Sequence, residues 1–107
     1  MNREEMVARL TKLRDAQLRE EVCDLKKKTN WRQQIEVTLA AASVAAREAA
    51  GCNLRDLGLL GEIRLGCIRL CKELSRQIRH HSERVMRAQK LAESARTAHR
   101  KIIEAKF

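Results

Sequence analysis

The first fifty residues contain neither glycine nor proline, and the whole 107-residue chain has no proline at all. Nothing in that stretch removes a backbone donor or favours a left-handed turn, so a helix once started has no stop signal. Alanine, leucine, arginine, glutamate and lysine, all strong helix formers, fill most of it. Asn2 followed by Glu5 fits an N-cap with an acidic first turn. The polar interval Lys26–Arg32 carries no breaker either, so the spacing predicts one helix running through it rather than a break near Thr29.

Glycine first appears at Gly51. Gly51-Cys52-Asn53 followed by Leu54-Arg55-Asp56 reads as a glycine C-cap and then a fresh Asn N-cap. That is a turn near the midpoint of the chain. The expected architecture is therefore all-α: a single two-helix antiparallel coiled-coil hairpin spanning residues 1–107. Its first arm covers about 3–50, its turn about 51–54 and its second arm about 55–106. With only 2% aromatic residues, neither a wide globular core nor a β-sandwich is expected. No window approaches eighteen apolar residues, so no membrane insertion is expected. The charged start Met1-Asn2-Arg3-Glu4-Glu5 lacks the apolar stretch of a secretory signal, which points to the cytoplasm.

Apolar residues in the first arm recur in steps of mostly three and four: Met6, Leu10, Leu13, Leu18, Val22, Leu25, Ile35, Leu39, Ala42 and Ala46. In the second arm Leu60, Cys67, Leu74, His81, Ala88, Ala95 and Ile102 stand seven apart. Three residues after each come Ile63, Leu70, Gln77, Arg84, Leu91, Ala98 and Ala105, and Ile78, Val85 and Ala92 widen the stripe. This is a heptad-type seam. Folding about residues 56–57 sets Leu39 opposite Leu74, Ile35 opposite Ile78, Leu25 opposite Ala88, Leu18 opposite Ala95 and Leu10 opposite Ile102. Gly58, Gly61 and Gly66 make the start of the second arm its softest part.

The net charge of +9 is unevenly placed. Residues 1–50 carry ten Lys/Arg against eight Asp/Glu, whereas residues 69–107 carry eleven against four. Arg76, Arg79, Arg84, Arg87, Lys90, Arg96, Arg100 and Lys101 spread around the second arm. That run reads as a solvated helix surface, as a dock for an acidic protein, or as a nucleic-acid binder, the last weakened by the scarcity of aromatics. Cys67 and Cys71 read as small apolar residues, and Cys23 and Cys52 as ordinary thiols. His81 falls on the seam as a buried polar element that fixes register, while its neighbour His80 points away. A two-helix hairpin builds no concave site for chemistry, so no enzyme activity, metal or cofactor is expected.

Leu54, Leu57, Leu59, Leu60 and Ile63, with Arg64 beside them, crowd the turn, where little chain remains to cover them. They form either an interaction surface or a local cap. The runs L-R-D-A-Q-L-R-E-E in the first arm, L-R-D-L-G-L-L-G-E-I-R-L after the turn and A-Q-K-L-A-E-S-A-R-T-A-H-R-K-I-I-E in the second resemble the FliJ/YscO family. Those are coiled-coil stalk proteins of flagellar and virulence-type type III secretion. The resemblance implies a fold like the rotary ATPase γ-subunit stalk, a hexameric secretion ATPase and an export-gate protein as partners, and contact with export chaperones. It transfers regions rather than single residues: 1–20 with 95–107 towards the ATPase ring, and 52–67 towards the gate. Within the first of these lie Met6, Leu10, Arg96, Arg100 and Lys101. Two rival readings stand beside it, a secretion chaperone or adaptor that binds a partner helix and a basic helical nucleic-acid binder.

Overall fold

The computed structural model describes residues 2–48 and 54–106. It is an all-α hairpin of two helices, α1 over Arg3–Glu48 and α2 over Leu54–Ala105. Helix α1 is unbroken over 46 residues, so Lys26–Arg32 is a polar interval within it. Its start is capped as the sequence predicts: the Asn2 side-chain oxygen accepts the Glu5 backbone N–H at 2.8 Å, with Glu4 and Glu5 filling the acidic first turn. The expected caps at Gly51, Cys52 and Asn53 lie outside the described residues.

Two compact units can be distinguished: a terminal unit made by Met1–Leu25 with His80–Phe107, and a central unit made by Lys26–Arg79. In the central unit Ile35, Cys67 and Leu74 form a buried apolar cluster against which Leu39 and Cys71 pack. Leu74 is 2% exposed, and the two thiols serve as small apolar side chains. In the terminal unit the buried apolar residues are Ala92 and Ala95, joined by His81. Half-buried hydroxyls do not disturb either unit, because Thr11, Ser43 and Ser75 each donate to the carbonyl four residues earlier.

Burial along α2 corrects the phase of the expected seam. Covered positions are Cys67, Cys71, Leu74, Ile78, His81, Val85, Ala88, Ala92, Ala95, His99 and Ile102, spaced alternately four and three. Ile63, Leu70, Leu91 and Ala98, expected in the seam, are exposed. From Cys67 to Ala95 the positions four residues after each heptad anchor face the partner arm, and those three after it lie towards the flank. In α1, Met6, Leu10 and Leu13 likewise fall outside the seam, which passes instead through Glu4, Val7, Thr11 and Leu18.

The register differs too. Ile35 shares its cluster with Cys67 and Leu74. Glu21, which lies between the expected pairs Leu18–Ala95 and Leu25–Ala88, instead reaches His81 and Arg84. Both observations slide the arms off the expected pairing, while Asp15–Arg96 and Glu4–Lys106 stay within about three residues of it. Alanines at facing positions tolerate such a slide, because they offer little shape to lock.

Candidate interaction surfaces

Near the turn, α2 carries Leu57 and Leu60 half-buried and Leu59, Ile63 and Arg64 exposed. The side chain of Leu54 lies outside the described residues. Leu65, Ile68 and Leu70 on α2, and Val37 and Val44 on α1, are exposed as well. Sequence reasoning missed the two valines. Their signal was the absence of any charge from Val37 to Ala46, more apolar residues than one seam can use.

At the other candidate region, Met6 and Leu10 are exposed on α1, and Arg96, Arg100 and Lys101 are exposed on α2. Val7, Ala98, Lys101 and Ile102 line one shallow groove there. Arg96 contacts Asp15 across the helix pair at 3.4 Å, while Arg100 lies 3.9 Å from Glu104 on its own helix. Lys106 pairs with Glu4 across the pair.

The basic run is thus partly neutralised. Arg76 donates to Glu73 through Nε at 3.2 Å and Nη2 at 2.5 Å. The Arg76 hydrogen bond, supported by Gln77, holds the Glu73 carboxyl below its ordinary pKa, and Glu73 in turn raises that of Arg76. Arg84 donates to Glu21 at 2.7 Å. Arg79, Arg87, Lys90 and Lys101 make no ion pair among the described residues. These four, rather than all eight of the run, are the cations with no carboxylate already beside them among the described residues.

His81 occupies the centre of a polar layer and is 3% exposed. Its Nε2 lies 3.0 Å from the Glu21 carbonyl oxygen and 2.8 Å from Glu21 Oε2. A carbonyl oxygen only accepts, so Nε2 carries the hydrogen and donates it to Glu21. One N–H cannot align on both oxygens; the hydrogen bond goes to the carbonyl, and Glu21 Oε2 is buried without one. Glu21 is thereby held from both sides, by His81 and by Arg84. His80 is exposed, as its helical angle from His81 requires.

Among the described residues, no three His, Cys, Asp or Glu side chains gather in a way that holds a metal ion. No described helix is long and apolar enough to cross a membrane. The chain matches no family model, no curated protein and no solved structure.

Proposed function

We propose that this chain is a non-enzymatic coiled-coil stalk that couples the hexameric ATPase of a type III export apparatus, flagellar or virulence, to its export gate. The observation that supports the reading is the antiparallel pairing of two unbroken helices of 46 and 52 residues. Within each helix the backbone hydrogen bonds run unbroken, a property that suits a stalk transmitting displacement or torque. Exposed apolar residues near the turn, Leu59 and Ile63, suit one partner. Charged residues at the free ends, Arg96, Arg100 and Lys101, suit another. In this reading the protein works in the cytoplasm, peripheral to the inner-membrane export apparatus. Export chaperones are further partners, while nucleic acid and membrane insertion have no role.

The test uses two sets of substitutions and two partners. Leu57→Ser with Leu59→Ser should abolish co-purification with the gate protein and leave the ATPase bound. At about 25 cal/mol per Å2, losing ~100 Å2 of apolar contact weakens binding by roughly 2.5 kcal/mol, near a hundredfold. Arg100→Glu with Lys101→Glu should do the reverse. If both sets weaken the same partner equally, the two-ended reading fails and a single-surface adaptor replaces it.

A further inference from the structure

One side of the central unit forms an open groove between the helices, of about 440 Å3. Its floor is apolar: Leu39 from α1 and Ile68 and Cys71 from α2. Its rim is cationic, with Arg32 from α1 and Lys72 and Arg79 from α2. Arg76 also borders it but is already held by Glu73. Arg32 sits at a seam position, so its long side chain carries its charge out of the apolar layer to the groove edge. Its Nε is sealed from solvent and lies 3.3 Å from Glu36 Oε1 without the alignment of a hydrogen bond. Lys72 and Arg79 form no ion pair among the described residues.

We propose that this groove docks an acidic amphipathic helix of a partner protein, laid along the pair as a third helix. The chemistry of the groove specifies the occupant. Apolar side chains at spacings of three and four would cover Leu39, Ile68 and Cys71, which two helices leave partly open. Lys72 and Arg79 stand seven residues apart, two turns or roughly 10.5 Å along α2, and match carboxylates seven apart on the incoming helix. Charge complementarity favours an acidic partner over a second copy, since each copy carries +9. Single-stranded nucleic acid fits poorly, because no aromatic side chain lines the groove for bases to stack on. This inference stands independently of the export reading, since it rests on the groove alone.

The experiment titrates the full chain into a fluorescein-labelled, 21-residue helical peptide with leucine at the seam positions and glutamate on both flanks. A second peptide has every glutamate replaced by glutamine. The glutamate peptide should bind at least tenfold more tightly, read by anisotropy at low salt. Lys72→Glu with Arg79→Glu should weaken that binding tenfold or more, and Ile68→Ser severalfold, with far-UV circular dichroism unchanged. Arg87→Glu with Lys90→Glu, in the terminal unit, should change it less than twofold. If the charge reversal disturbs folding, Lys72→Gln with Arg79→Gln serves in its place. Several outcomes overturn the proposal: no binding of the glutamate peptide, equal binding of both peptides, or equal losses from the two charge-reversed pairs. So does displacement of the peptide by poly-uridine RNA or anionic phosphatidylglycerol vesicles at lower concentration, with the same dependence on Lys72 and Arg79. A wild-type dimer by light scattering that Ile68→Ser dissociates would assign the groove to a second copy instead.

Discussion

The terminal and central units use the same two helices but different glue. The central unit packs Ile35, Leu39, Cys67, Cys71 and Leu74 into an apolar cluster, and its ion pairs Arg32–Glu36 and Glu73–Arg76 run along single helices. The terminal unit has alanine at its most buried positions, with Ala92 at 0% exposure, and its ion pairs, Arg100–Glu104 aside, cross between helices. Glu21 meets His81 and Arg84, Asp15 meets Arg96, and Glu4 meets Lys106. Alanine buries little area but lets two backbones approach, which brings polar side chains on the flanks within reach of each other. Area supplies stability in the central unit. Geometry of polar contacts supplies register in the terminal one.

The largest expected break follows from that contrast. Leu74→Asp puts an unpartnered charge into the apolar cluster and should cost about 4 kcal/mol or more, enough to unfold the central unit. Leu39→Asp should cost less, because Leu39 is only partly buried. Leu91→Asp, on the flank, should stay within about 0.5 kcal/mol. Urea titrations of the three variants check the order. A large loss at Leu91 would restore the seam phase that the sequence suggests and refute the one described above.

In the terminal unit the matching probe is size rather than charge. Ala92→Leu adds volume where the helices touch and should destabilise by about 1–3 kcal/mol. Ala98→Leu, on the exposed flank, should be neutral. Were Ala92→Leu stabilising, the helices would have room to spare there and close backbone approach would not explain the cross-helix pairs.

The polar layer gives a prediction of a different kind. Replacing Glu21 and His81 together with leucine removes a buried polar contact and leaves only the half-exposed Arg84 to water. Thermal stability should hold or rise by about 1–2 kcal/mol, while register is relaxed. Lysine crosslinking with mass spectrometry reads the second effect, as a spread of α1–α2 pairs in place of one set. A single unchanged crosslink set would mean that register is fixed elsewhere.

How legible all this was depended on the kind of signal. The Asn2 cap, the continuity of α1 through Lys26–Arg32 and the burial of His81 rest on local rules, and each could be read directly. Seam phase could not, because apolar residues occur both three and four places after the heptad anchors. Leu70 lies three residues after Cys67 and Cys71 four residues after it, and nothing within one helix says which faces the partner. In α1, Met6, Leu10 and Leu13 form a tempting stripe that burial assigns to the surface. Register was least legible of all, since it is set by pairs such as Glu21 with His81 that sequence spacing does not join. The basic groove at Arg32, Lys72 and Arg79 was hidden for the same reason, because its cations come from both helices.

Glycine offers a smaller handle on the central unit. A Cβ at Gly58, Gly61 or Gly66 would meet nothing within 4 Å, and none of the three has a positive φ. Alanine at each should therefore stabilise by about 0.5–1 kcal/mol, through helix propensity and a less flexible unfolded chain. Differential scanning calorimetry should show the midpoint rising with each substitution. If stability rises but binding at the nearby Leu59 and Ile63 falls, the glycines serve close approach by a partner rather than the fold.

The smallest effect expected is at Asp15 and Arg96. Their contact is at 3.4 Å, and both side chains remain substantially exposed. Water screens such a pair and two flexible side chains must be ordered to form it, so its coupling should be about 0.2–0.5 kcal/mol. A double-mutant cycle with Asp15→Asn and Arg96→Gln isolates that coupling from the effect of each residue alone. Raising ionic strength towards 1 M should erase it, because screening then acts over about 3 Å. The pair joins the helices only about one and a half turns from Glu21, whose side chain is 21% exposed against 34% for Asp15. The same cycle at Glu21 and Arg84 should therefore give a larger coupling that survives the added salt better. If the two cycles gave equal couplings with equal salt dependence, register in the terminal unit would be a sum of weak surface contacts rather than the work of the layer around His81.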